Sequence, residues 1–169
     1  MAGETFFYGT GSMLPATNYL MDFLLSSIPA GAFALVFGVP LRYVPLAALG
    51  GAVAHLTRTV CTDAFGIGIV AATFIASSVI SVMFILIAPR ICVPRPVFTV
   101  ASIVPVIPGK FAYLTLLSLI KLHNEAGDSL SLHIAEFFEN GILTTFVLLA
   151  IGMGIAMPSL FFYRSRPVV

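Results

Sequence analysis

The 169-residue sequence has no tryptophan, two cysteines, and 9% charged residues, where a soluble domain normally carries about a quarter. So little charge excludes an ordinary water-soluble globule. The net charge of +1, with no basic run and no acidic tail, offers no surface for tracking phosphates, so nucleic acid is not expected as a partner. Cys61 and Cys92 stand in no Cys-x-x-Cys or other metal-like spacing and are expected as unpaired packing residues on opposite membrane faces. There is no Gly-x-x-x-x-Gly-Lys loop, so binding and hydrolysis of ATP in the P-loop manner is not expected. Residues 1–18 lack a basic region ahead of the first apolar stretch, which argues against a cleaved secretory signal.

What the sequence does have is apolar surface: 59% of residues are hydrophobic and the mean hydropathy is +1.08. A spanning helix uses about twenty residues, and a window of that size picks out 19–38, 44–62, 67–88, 97–121 and 142–163. The expected fold class is therefore all-α, one transmembrane domain over 1–169 with five transmembrane helices, the fourth broken between Pro105 and Gly109. Residues 1–18 form a short outer segment and 122–141 an outer loop or helix. Leu130, Ile134, Phe137 and Phe138 at helical spacing suggest that helix begins before the fifth span proper. Small pairs at i and i+4, namely Ala47 with Gly51, Gly50 with Ala54 and Gly152 with Ala156, are expected to serve close helix packing.

Arg42, Arg90, Arg95, Arg164 and Arg166 follow spans one, three and five, whereas Glu4, Asp22, Asp63, Glu125, Asp128, Glu136 and Glu139 fall at the opposite ends. The positive-inside rule then predicts the N-terminus outside and the C-terminus in the cytoplasm of a cell membrane. Tyr19, Tyr43 and Tyr163 at the span ends support these boundaries.

Three spans carry charge, and function is expected there. In the fourth, Pro105 cannot donate to the Ala101 carbonyl nor Pro108 to that of Val104, so acceptors are freed at mid-depth. An interrupted span points to a transporter's midplane site. Gly109 and Lys110 begin its second half, whose positive end and ammonium together would receive an anion. Tyr113, one turn on, could donate to a carboxylate oxygen. The alternative is a packing kink with Lys110 snorkelling or paired. In the second span His55 and Arg58 lie at i and i+3, on or near the Gly51/Ala54 face. Asp22, at similar depth in the first span, could pair with Arg58, the rival being Arg58 as a ligand for a substrate carboxylate. His55 is either a proton relay or a satisfied buried residue. Together these charges favour an anionic substrate, most economically a small carboxylate.

Four blocks carry a resemblance: IPAGAFALVFGVPLR (28–42), ALGGAVAHLTR (48–58), PVFTVASIVPVIPGKFAY (96–113) and MPSLFFYRSRPVV (157–169). They occur in order and resemble the YjjB-like small subunit of the split threonine/serine exporter family. The resemblance implies export of threonine, serine or, in split forms, succinate, together with a larger partner subunit that carries a cytoplasmic domain. It also implies roles for Asp22, Pro29, His55, Arg58, Pro105, Pro108, Gly109 and Tyr113, with Lys110 departing from the usual small or apolar residue. Five helices are few for a complete alternating-access carrier, so a partner chain or self-association is expected, with coupling to an ion or proton gradient and no cofactor. The alternatives are a passive channel for small anions and a non-transporting membrane-anchor or assembly subunit. Only His55 lies within a span, against a bis-histidine haem. No span offers an adjacent nucleophile and base or paired carboxylates, so an enzyme is not expected.

Overall fold

A computed structural model describes residues 16–87, 95–124 and 130–163. Cys92, Arg90, Arg164, Arg166, Glu4, Glu125 and Asp128 lie outside the described residues. The described chain is helical: α1 (Ala16–Val36), α2 (Val44–Asp63), α3 (Ile69–Ile87), α4 (Arg95–Ile103), α5 (Gly109–Asn124) and α6 (Leu130–Tyr163), with short 3₁₀ turns at Leu41–Tyr43 and Val104–Val106. Four helical stretches are long and apolar enough to cross a membrane, or five when α4 and α5 count as one broken span. The fourth apolar stretch is thus interrupted where its prolines fall.

The helix ends follow local chemistry. α1 closes in a Schellman turn: the N–H of Val39 bonds to Ala34 O and that of Gly38 to Leu35 O, each at 3.0 Å, with Gly38 at φ +72°. α2 opens with Pro45 in its first turn, where a missing N–H is harmless. α6 is one continuous 34-residue helix starting at Leu130. The segment from Leu130 therefore runs into the fifth span without a joint. At 1.5 Å per residue that helix is about 51 Å long, well beyond a hydrocarbon core of about 30 Å.

The described chain forms two compact units, Met1–Val106 with Ala150–Val169, and Ile107–Leu149. In the first, α2 packs against α1, α3 and α4. It can do so closely because Ala47, Gly50, Gly51 and Ala54 give it a nearly flat, fully buried face. A Cβ on Gly50 would collide with the Ser102 hydroxyl and come within 2.9 Å of the Phe84 ring. Around this seam Ala34, Ile80, Phe84, Phe98, Ala101 and Val106 make the core. Phe84 stacks on Phe98 at 5.7 Å between centroids. Cys61 is buried and unpaired, as expected. Gly152 and Ala156 do not pack: both are exposed, and a Cβ on Gly152 would meet no described atom within 4 Å. The close contact falls instead to Gly154, against Ser77 and the carbonyl of Phe74.

In the second unit α5 and α6 approach at Gly141, where a Cβ would sit 3.4 Å from the Thr115 methyl. His133 is buried there, 3.4 Å from the Glu136 carboxylate one turn on. Phe137, Phe138, Ile142 and Phe146 line an apolar groove of about 330 Å³ along α6.

Candidate functional site

The break in the fourth apolar stretch is a consequence of two prolines three residues apart. α4 ends at Ile103, the chain tightens through Val104–Val106, and α5 starts at Gly109. Between them the N–H of Gly109 turns back to Ile107 O at 2.8 Å, and Ala112 N–H bonds to Pro108 O at 3.1 Å, the first bond of the new helix. The carbonyl of Val106, a residue 1% exposed, receives Nη1 of Arg58 at 3.0 Å. A guanidinium on the neighbouring helix thus takes the place of a helical N–H, which is how irregular backbone is tolerated inside a membrane.

Two further contacts hold the broken helix along α2. The Ser102 hydroxyl donates to Ala47 O at 2.9 Å, and a Cβ on Gly51 would lie 3.3 Å from Pro105 Cγ and 3.4 Å from Ser102 O, besides colliding with Ala30. Glycine at position 51 is therefore demanded first by Ala30 of α1, and it also leaves room for the proline turn.

Arg58 belongs to a polar stripe, with His55, Thr59 and Thr62 on the same face of α2 and all four partly buried. The hydroxyl of Thr59 lies 3.4 Å from His55 Nδ1 and 3.1 Å from its carbonyl. Thr62 donates to the carbonyls of Thr59 and Arg58 at 2.9 and 3.1 Å. Arg58 on its own helix and Asp22 on α1 both act electrostatically on His55, so the three side chains share one neighbourhood. No ion pair joins Asp22 to Arg58 among the described residues; the guanidinium is turned to Val106 instead. The Asp22 backbone carbonyl accepts the Ser26 hydroxyl at 2.6 Å.

The remaining expected site residues sit on the second unit. Pro108 immediately precedes α5, Gly109 is its first residue, and Lys110 and Tyr113 follow on it, both exposed, Tyr113 to 63%. The sequence reading passed over three residues: Thr59, Thr62 and Ser102. The first two were signalled by their spacing of 55, 58, 59 and 62, one face of a helix. Ser102 carried no signal, because a hydroxyl acquires its partner only from tertiary packing.

The fold and this stripe define a class, a multi-pass helical membrane protein with a broken span clasped by an intramembrane arginine. Residues 22–161 match the family described as "Threonine/Serine exporter, ThrE". An uncharacterized protein of Haemophilus influenzae (strain ATCC 51907 / DSM 11121 / KW20 / Rd) is 40% identical over 151 residues, 89% of this chain and 50% of that protein. The chain belongs to the threonine/serine exporter family, and it spans about half the length of that curated relative. No solved structure matches it.

Proposed function

We propose that this chain is a membrane subunit of a secondary exporter that moves a small carboxylate metabolite, succinate-like or threonine/serine-like, out of the cell. The observation that carries the reading is Arg58: a guanidinium inside an apolar helix bundle, beside His55, at the carbonyl of a broken span. Intramembrane cations are costly and concentrate at substrate pathways. Arg is suited to a carboxylate because its N–H groups form a planar fork. Membership of an exporter family supports transport of a small metabolite. The positions of the arginines support an orientation with the N-terminus outside and the C-terminus in the cytoplasm of the inner or plasma membrane.

Five spans are few for a complete alternating-access carrier, which supports a hetero-oligomer with a larger subunit, with self-association the second arrangement. Lys110 and Tyr113 on α5 are further candidate ligands, each to be tested by its own variant. Efflux of succinate and of threonine, measured from cells with this chain alone and with the larger subunit, tests the assignment. Transport with the pair and none with either alone is the expected result; saturation and counterflow in liposomes separate a carrier from an anion channel. Replacing Pro108 and Gly109 by Ala-Ala leaves the chain in the membrane and abolishes efflux. A Cβ on Gly109 meets no described atom within 4 Å, so a loss in that variant reports the mended backbone and not a clash.

A further inference from the structure

One end of the first unit carries a cation on an aromatic support that the transport reading does not use. Residues 37–43 join α1 to α2, so the end of α1 and the start of α2 lie together there. The half-buried ring of Tyr43 meets Phe98 of α4 edge-on, with centroids 6.1 Å apart, and Phe98 in turn stacks on Phe84 in the core. Tyr43 is therefore a platform fixed from below, and the guanidinium of Arg42 lies over its ring, Cζ 4.4 Å from the centroid. Arg42 is exposed, and its guanidinium makes no hydrogen bond or ion pair with a described residue. Stacking occupies the flat face of the group and leaves its in-plane N–H fork open.

A cation held in one orientation with its fork free suits an anion that presents two oxygens together, as phosphate and carboxylate do. Two features narrow the choice. The described carboxylates of the first unit, Asp22 near the start of α1 and Asp63 at the end of α2, both lie at the opposite end, so none of them competes for Arg42. Arg42 also stands among exposed apolar side chains: Val36 and Leu41 are 76% and 77% exposed and Phe37 43%. A free anion in water gains nothing from such a collar, whereas a phospholipid uses both parts, its phosphate on the guanidinium and its chains along the apolar residues. A zwitterionic lipid brings an ammonium beside its own phosphate and is held less well. We propose that Arg42, stacked on Tyr43, is a headgroup site for an anionic phospholipid at the membrane surface where α1 turns into α2. The site is independent of which compound the chain transports.

The chain has no tryptophan, so a single Leu41→Trp reports on the lipid beside Arg42. The full chain is reconstituted in vesicles of equal parts phosphatidylglycerol and phosphatidylcholine, with bromine on the acyl chains of one lipid or the other, and the two quenching levels are compared. Phosphatidylglycerol is expected to be enriched about fivefold, the scale of one basic residue at an anionic surface, and Arg42→Gln, at an exposed position, removes the enrichment. Tyr43→Phe keeps the ring and the enrichment. Tyr43→Leu keeps the charge but removes the platform, and lowers the enrichment about twofold, the scale of an exposed cation–π contact. A second chain with Phe65→Trp instead, 71% exposed and just past Asp63 at the other end of α2, shows no enrichment. Equal quenching by the two lipids at position 41, enrichment unchanged by Arg42→Gln or by Tyr43→Leu, or the same enrichment at position 65 overturns the site. Enrichment lost in sodium phosphate but kept in sodium chloride of equal ionic strength assigns the fork to the free ion and overturns the lipid.

Discussion

Two polar stripes run through the first unit, one on α3 and one on α2, and they are used differently. On α3, Thr73, Ser77 and Ser81 recur every four residues and are at most 5% exposed. Their hydroxyls are spent on backbone: Thr73 on Ile69 O at 2.7 Å, Ser77 on Thr73 O at 2.9 Å, and Ser81 across to Ile155 O of α6 at 2.9 Å. On α2 the stripe is only partly buried, it carries charge, and its guanidinium keeps donors that no described residue fills. The same spacing thus serves as glue in one helix and, in the function proposed here, as a site in the other. What separates them is whether the donors run out.

Changes to the α2 stripe should break transport, and changes to the α3 stripe should break only assembly. The largest effect is expected from Arg58→Gln, which lowers carboxylate efflux about a hundredfold, the scale of truncating one partner of a charged pair, while leaving the amount of protein in the membrane unchanged. Efflux assays normalised to immunoblotted protein check it, and a variant that still transports would move the site away from α2. Next comes Gly154→Ala. Its Cβ would collide with the Ser77 hydroxyl and approach the fixed Phe74 carbonyl to 2.8 Å, so overpacking should cost about 1–3 kcal/mol, read as a lower melting temperature in detergent. A smaller loss follows Ser81→Ala, about 0.6 kcal/mol on the scale of interhelical hydrogen bonds in membranes, with efflux intact; a transport defect there would erase the distinction between the stripes. Gly152→Ala, two residues from Gly154 and facing open space, should change neither stability nor efflux.

Much of the fold was legible because a bilayer imposes one demand that sequence cannot hide: long apolar runs must become helices. Val44–Asp63 and Ile69–Ile87 fall within two residues of the spans read from hydropathy. The break at residues 104–108 was equally legible, since proline lacks an N–H wherever it stands. The start of α6 was less so, because Leu130 to Gly141 mixes apolar and charged residues that hydropathy averages away. Partner choice was not legible. Arg58 was open between Asp22 and a substrate, and the small-residue pair at Gly152 and Ala156 read like the one at Gly50 and Ala54.

By itself, then, the sequence determined the membrane class, the presence of several long apolar stretches, the place where the fourth fails, and the types of polar group inside them. These follow from local properties: transfer free energy per residue, helix period, and the missing donor of proline. Only the tertiary structure decided that Gly154 and not Gly152 meets a neighbour, that Ser102 reaches Ala47, and that Arg58 turns to the Val106 carbonyl. Those outcomes depend on which helix faces which and on the rotation of each about its axis, quantities set by the packing of residues far apart in the chain.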